Sequence, residues 1–95
     1  MGQRRNLQVV AYDIADDRRR RRIAGLLEEE GTRVQFSVFE MRLSERKLQT
    51  LIGAAKEIMS DADSLRVYVC GKSGEGKSIA VGGTMIDHDV GYWLI

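Results

Sequence analysis

The chain has no proline, one cysteine and one histidine among its 95 residues. Each shortage removes a class of explanation. The single Cys70 cannot close an internal disulfide, and no zinc-binding spacing can be built on one cysteine. In a reducing compartment it reads as a small hydrophobe on a strand. The lone His88 supports no Ser-His-Asp or Cys-His arrangement. Flanked by Asp87 and Asp89 it is a thin metal site, and it reads first as part of a surface turn. No apolar run approaches the roughly 20 residues that cross a bilayer, so no membrane partner is expected. No charged, apolar and small-residue leader is visible at Met1, which makes the expected location cytoplasmic. Low-complexity tracts, internal repeats and linkers are also missing, so residues 1–95 are expected to form a single domain. A domain this small buries only about 60–65% of its unfolded surface, and dimerisation would help it.

What is present centres on Leu7-Gln8-Val9-Val10-Ala11-Tyr12-Asp13-Ile14. Six of these eight residues are apolar, counting Tyr12, and two β-branched valines stand at the middle. The stretch is too short for a helix and reads as a buried central strand. Asp13 is the oddity, because a carboxylate near the end of such a strand is costly to bury unless paired, hydrogen-bonded or bound to a cation. The net charge of +1 says little about partners, but seven of the fifteen basic residues lie before Ile23, at Arg4-Arg5 and Arg18 to Arg22.

A helix is expected next, capped by Asp16 or Asp17, with Ile23, Leu26 and Leu27 as its apolar stripe and Gly31 as its C-terminal cap. Five consecutive arginines go all the way round a helix. Arg19, four residues before Ile23, falls on the inward stripe; Arg20 lies near its edge; Arg18, Arg21 and Arg22 point outward. One reading is a solvated, salt-bridged face with Arg19 snorkelling past the end of the sheet. The other brings the Arg19 guanidinium to a phosphate or to the Asp13 carboxylate.

From Thr32 to Leu43 the apolar period is two, but its phase changes. Val34, Phe36 and Val38 share one parity, and Phe39, Met41 and Leu43 the other. A kink, bulge or tight turn near Ser37 resolves this into two short strands. Ser44 caps a second amphipathic helix that buries Leu48, Leu51, Ile52, Ala55, Ile58 and Met59. Ser60 to Ser64 is a turn, and Leu65 to Cys70 a further strand. Strand, helix, strand, strand, helix, strand is the split βαβ, ferredoxin-like order: α+β, an antiparallel sheet with both helices on one face, and a core over about residues 7–70. The first strand is apolar on both sides, so a second subunit is expected to cover the other face. A tail over about residues 78–95 holds the run Ser78-Ile79-Ala80-Val81 and a last strand, Val90 to Ile95, that is expected to extend the partner's sheet in a homodimer.

Gly71-Lys72-Ser73-Gly74-Glu75-Gly76-Lys77-Ser78 matches the phosphate-binding pattern GxxxxGK(S/T) letter for letter. That pattern works when a helix N-terminus follows the loop. Here Ile79-Ala80-Val81-Gly82-Gly83 follows, β-branched and glycine-rich, and the stretch reads as a hairpin tip carrying two lysines, with no nucleotide cofactor.

Taken together, the Tyr12-Asp13-Ile14 strand end, the basic helix start from Asp17 to Ala24, and Gly31-Thr32-Arg33-Val34-Gln35-Phe36-Ser37-Val38-Phe39-Glu40 resemble the CRISPR-associated Cas2 family. The likeness covers about residues 7–70. It implies a ferredoxin-like homodimer that takes part in spacer acquisition, with the CRISPR integrase and duplex DNA as partners. It also implies a magnesium-dependent endonuclease acting on RNA or double-stranded DNA, with Asp13 as metal ligand and Arg18 and Arg19 on nucleic acid. In such a nuclease Asp13, supplied by both subunits, would hold Mg2+, and Arg19 would neutralise charge on the phosphoryl oxygens. Lys72 and Lys77 join Arg18 and Arg19 as phosphate-contact candidates. Two other classes stay open at this point: a toxin-type ribonuclease of similar fold and a ferredoxin-like small-ligand regulatory domain.

Overall fold

A computed structural model of the chain describes residues 6–70 and 77–82. The first strand, β1, spans Leu7–Asp13. Its burial alternates strictly. Gln8, Val10 and Tyr12 are buried beneath the helices, while Leu7, Val9 and Ala11 are half-buried on the opposite face. Ile14, just past the strand, is buried as well and anchors the loop into the next helix.

Helix α1 covers Asp17–Glu28. Asp16 is its N-cap: the carboxylate accepts from the Arg19 backbone N–H at 2.9 Å, and Asp17 in the first turn suits the positive end of the helix. Ile23, Ala24 and Leu27 are its buried stripe. The helix stops earlier than Gly31, with Glu29 as C-cap. Gly31 is instead the first residue of β2, Gly31–Gln35, opposite Met41. Its φ is not positive, so it is no left-handed cap. Its value lies in close approach: a Cβ here would stand 2.3 Å from the Glu40 carbonyl oxygen and 2.8 Å from the Met41 Cβ.

Strand β3 runs Val38–Met41, and the expected change of phase is resolved twice over. The β2–β3 register shifts between Arg33 and Gln35, and Phe36 and Ser37 then form the turn. The result leaves Val34 and Phe36 exposed, while Phe39 and Met41 are in the core. Helix α2, Glu45–Ile58, starts on the Ser44 hydroxyl, which accepts from the Lys47 N–H, and buries Leu48, Leu51, Ile52 and Ala55. Strand β4 is Ser64–Cys70 and β5 is Lys77–Val81.

The sheet order is β2-β3-β1-β4-β5, with every neighbouring pair antiparallel. Both helices share one core with one face of this sheet. Val10, Phe39 and Val67 lie side by side across three strands, and Ile23, Leu27, Leu48 and Leu51 close over them. This is the expected ferredoxin-like arrangement with one addition, β5, which pairs with the chain's own β4 from Leu65↔Val81 to Val69↔Lys77. A strand therefore follows the glycine-rich tip, where the phosphate-binding pattern requires a helix. The tip itself, Gly71 to Gly76, lies outside the described residues, as do Met1–Arg5, His88 and the stretch Val90–Ile95. No helix among the described residues is long and apolar enough to cross a membrane.

Gln8, the polar residue on the core face of β1, is 2% exposed, which its place in an apolar run does not predict. Its amide is used in full: Nε2 donates to the Leu43 carbonyl at 2.9 Å and Oε1 accepts from the Leu43 N–H at 2.8 Å. One side chain thus satisfies both backbone groups of the residue that leads β3 into α2. At the other end of β1, Tyr12 makes the matching pair of contacts. Its N–H donates to the Ser37 carbonyl at 3.1 Å, and its hydroxyl donates to the Phe36 carbonyl at 3.4 Å.

Candidate functional site

Asp13 is the last residue of β1 and, by strand alternation, points away from the core-facing Tyr12. It is exposed, so the burial cost expected from sequence does not arise. No hydrogen bond or ion pair joins its carboxylate to any described residue.

Arg19 is not its partner. The Arg19 Nε donates to the Asp63 Oδ2 at 2.7 Å, with a second, longer contact from Nη2 to Oδ1 at 3.4 Å. Asp63 is 1% exposed and also accepts from the Ser60 N–H at 2.9 Å. The Arg19 hydrogen bond holds the Asp63 carboxyl below the usual carboxylate range against the opposing effect of burial, and the Ser60 N–H adds to it. The pair ties the first turn of α1 to the turn between α2 and β4. The helix register does place Arg19 inward, as its spacing from Ile23 indicates; its partner is another acid because the α2–β4 turn lies beneath that point of the helix.

The arginines beside Asp13 are others. A surface cleft of about 440 Å³ is lined by Asp13, Tyr12, Arg20, Arg21, Arg33 and Phe36, among others. Each arginine is held differently. Arg20 donates to the Ile14 and Ala15 carbonyls at 3.2 and 3.1 Å and pairs with Asp17. It thereby braces the strand-to-helix loop that follows Asp13. Arg33 lies over the Phe39 ring, 5.2 Å from the centroid, and pairs with Glu28 at 3.4 Å. Arg21 is exposed and makes no ion pair with any described residue. Arg18 is likewise exposed and unpaired among the described residues, but does not line the cleft. Lys72 lies outside the described residues. Lys77 is the first residue of β5.

Chemically, this is one solvated carboxylate in a cleft that three arginines and an aromatic ring also line. Among the described residues no three His, Cys, Asp or Glu side chains gather to hold a metal. Asp13 still fits a hard cation, because no described residue engages either of its oxygens. Magnesium is commonly held by one or two carboxylates, with water and substrate phosphate completing the shell.

The sequence reading singled out Asp13 but not Arg20, Arg21, Arg33 or Phe36 as its neighbours. The signal for Arg20 was present in its place at the edge of the helix stripe. Arg33 and Phe36 come to the site through the β1–β3 pairing, which no local pattern reveals.

Comparison with known proteins gives a consistent picture. The profile of the family described as CRISPR associated protein Cas2 matches residues 6–77. A Synechocystis protein named CRISPR-associated endoribonuclease Cas2 3 is 54% identical over 63 residues, covering 65% of this chain and 68% of that one. A Thermus thermophilus protein named CRISPR-associated endonuclease Cas2 2 is 49% identical over 69 residues, covering 72% of this chain and 74% of that one. Among solved structures, a hypothetical protein from Thermus thermophilus superposes with a TM-score of 0.68 at 45% identity, covering 72% of this chain and 84% of that one. Streptococcus pyogenes Cas2 superposes with a TM-score of 0.64 at 30% identity, covering 68% of this chain and 86% of that one. With strand order, the Asp13 strand end and the arginine-rich helix start all in place, the chain belongs to the Cas2 family of CRISPR-associated proteins.

Proposed function

We propose that the chain is a nucleic-acid-binding adaptor of CRISPR spacer acquisition that also hydrolyses phosphodiester bonds as a magnesium-dependent endonuclease, and that it acts as a homodimer. The observation that carries the nuclease reading is the exposed Asp13 carboxylate, without a partner among the described residues, in a cleft whose other charges are arginines. The names of the Synechocystis and Thermus relatives support it. No observation favours a toxin-type ribonuclease or a small-ligand regulatory domain.

In this reading Asp13, together with its copy in the partner subunit, would hold the magnesium ion. Bound there, the ion would supply Lewis-acid polarisation of the scissile phosphate and an acidified water. Arg21, free of any described acid, neutralises charge that develops on the phosphoryl oxygens. Arg20 holds the backbone after Asp13 in place. Arg19 is assigned to positioning: its hydrogen bonds to Asp63 fix the start of α1, and through it the direction of Arg20 and Arg21. Arg18, Lys72 and Lys77 serve the adaptor role as phosphate contacts along a duplex, with the CRISPR integrase as the protein partner.

The homodimer is supported by the sheet face away from the helices, where Leu7, Val9, Ala11 and Val38 are only half-buried. A second copy packing sheet to sheet would cover them.

The test is incubation of the purified protein with RNA and with duplex DNA, in magnesium or in chelator. Asp13→Asn removes the charge and keeps the shape at an exposed position. We expect it to abolish magnesium-dependent cleavage while the protein stays folded and still binds nucleic acid. Cleavage by Asp13→Asn at the original rate would place the metal elsewhere, and absence of cleavage in every preparation would leave the adaptor reading alone.

A further inference from the structure

Phe36 is 89% exposed. Its ring has no aromatic contact or cation above it among the described residues, yet its backbone is held firmly. The Phe36 carbonyl accepts from the Tyr12 hydroxyl, and the next carbonyl, of Ser37, accepts from the Tyr12 N–H. The turn that carries Phe36 is therefore pinned to the residue immediately before Asp13. The ring lines the same cleft as Asp13, Arg21 and Arg33. An exposed aromatic held beside free positive charge is what a stacked base with its own phosphate requires.

We propose that Phe36 is the stacking platform for an unpaired base. The cleft thereby selects single-stranded nucleic acid, with the phosphate next to the stacked nucleotide lying on Arg21. The inference rests on the nucleic-acid reading above and adds to it a specificity-determining residue. A paired base inside a duplex already has both faces covered by its neighbours, so the ring of Phe36 has nothing to stack on there. A single strand, a frayed end or a splayed flank presents a free base face. The stacking is tolerant of base identity, because every base has a π-face. Arg33 lies over the Phe39 ring and is tied to Glu28, which leaves Arg21 as the cleft cation most available to phosphate.

Because Phe36 is exposed, its substitution leaves the core untouched. The experiment measures binding of fluorescent single-stranded RNA, single-stranded DNA and a blunt duplex of equal length, all in chelator so that nothing is cleaved. Wild type, Phe36→Ala, Phe36→Leu, Phe36→Tyr and Arg21→Gln are compared. Phe36→Ala is expected to weaken single-strand binding about tenfold or more. It should change duplex affinity less than twofold and leave the dependence on salt unchanged, since no phosphate contact is lost. Phe36→Tyr should bind as wild type, and Phe36→Leu should behave as Phe36→Ala. Arg21→Gln should instead reduce the slope of log K against log salt by about 0.7 for single strands. A preference for RNA or for DNA shows in the two single-strand arms. The proposal is overturned if Phe36→Ala weakens duplex and single strand alike, if Phe36→Leu binds as wild type, or if Phe36→Ala changes the oligomeric state. The last result would mark the ring as a subunit contact. Wild-type protein that binds no nucleic acid at all would remove the underlying reading together with this one. Unchanged binding by Phe36→Ala, with wild type binding well, would remove the stacking role alone.

Discussion

At the scale of single residues, two buried polar side chains hold the fold in place, and both do so across long stretches of sequence. Gln8 satisfies the two backbone groups of Leu43 at once. Gln8→Leu keeps the volume but leaves a buried N–H and a buried carbonyl unpaired. We expect a loss of roughly 2–6 kcal/mol in urea unfolding, since each of the two unsatisfied groups costs about 1–3 kcal/mol. Asp63 gives a pH-dependent counterpart. Its carboxyl is held below its ordinary value of 3.8 chiefly by the Arg19 hydrogen bond. A folded-state value below the unfolded one stabilises the folded chain. That contribution is complete well above the unfolded value and is lost as the pH falls through the folded one. Melting temperatures measured from pH 7 down to pH 3 should fall towards the acid end in wild type. In Asp63→Asn the melting temperature should start several degrees lower at pH 7 and fall less over the same range. Neither residue was legible beforehand. Gln8 reads as an interruption in an apolar run and Asp63 as one of several turn acids, because the partners lie 35 and 44 residues away.

At the scale of elements, most of the fold was legible and its junctions were not. The 3.6-residue stripe of α2 and its Ser44 cap are local facts, and so is the phase change between Val38 and Phe39 that requires a turn. Gly31 shows the limit. A glycine after a helix commonly stops it in the left-handed conformation, but here the helix has already ended and the glycine lets β2 approach β3 closely. Gly31→Ala would place a methyl 2.3 Å from the Glu40 carbonyl oxygen, so β2 has to move. The expected cost is about 1–3 kcal/mol, read as a lower denaturant midpoint. Gly25 has nothing within 4 Å of an added Cβ, and Gly25→Ala should be neutral or stabilising in the same assay. For the candidate site the division is similar. Asp13 stands out from its strand by charge alone, and the inward Arg19 follows from helix geometry. The cleft around Asp13 needed the β2–β3 turn brought against the end of β1, which is a tertiary event.

At the scale of the whole molecule, both helices pack on one face of a small sheet, and on the other Leu7, Val9, Ala11 and Val38 are half-buried and Tyr68 is buried. If a second copy covers that other face, the melting temperature should rise with protein concentration, because subunit association then contributes to folding. Sedimentation should report a dimer at micromolar concentration. Deleting Val90–Ile95 should shift that equilibrium towards monomer or lower solubility, as expected of a strand that completes a partner's sheet edge. A truncated chain that sediments and melts as the full one does would argue against strand exchange. The overall architecture was legible because the order of strands and helices, with no room for long crossovers, admits few topologies. The pairing of β5 with its own β4 agrees with the hairpin expected around the glycine-rich tip, whose glycines and missing helix are local signals.

The double anchoring of β1 has a consequence for how the chain folds. Strand pairing can go wrong by a slip of one residue, which turns every side chain to the opposite face. A slipped β1 would carry Gln8 away from Leu43 at one end and Tyr12 away from the β2–β3 turn at the other. The first error would leave the buried backbone groups of Leu43 unpaired, and the second would release the turn that carries Phe36. Such a slipped species would be less stable than the native one, so the two contacts favour the native register of the central strand. The same register sets Asp13 and Phe36 in one cleft, so the contacts that fix the central strand also fix the site.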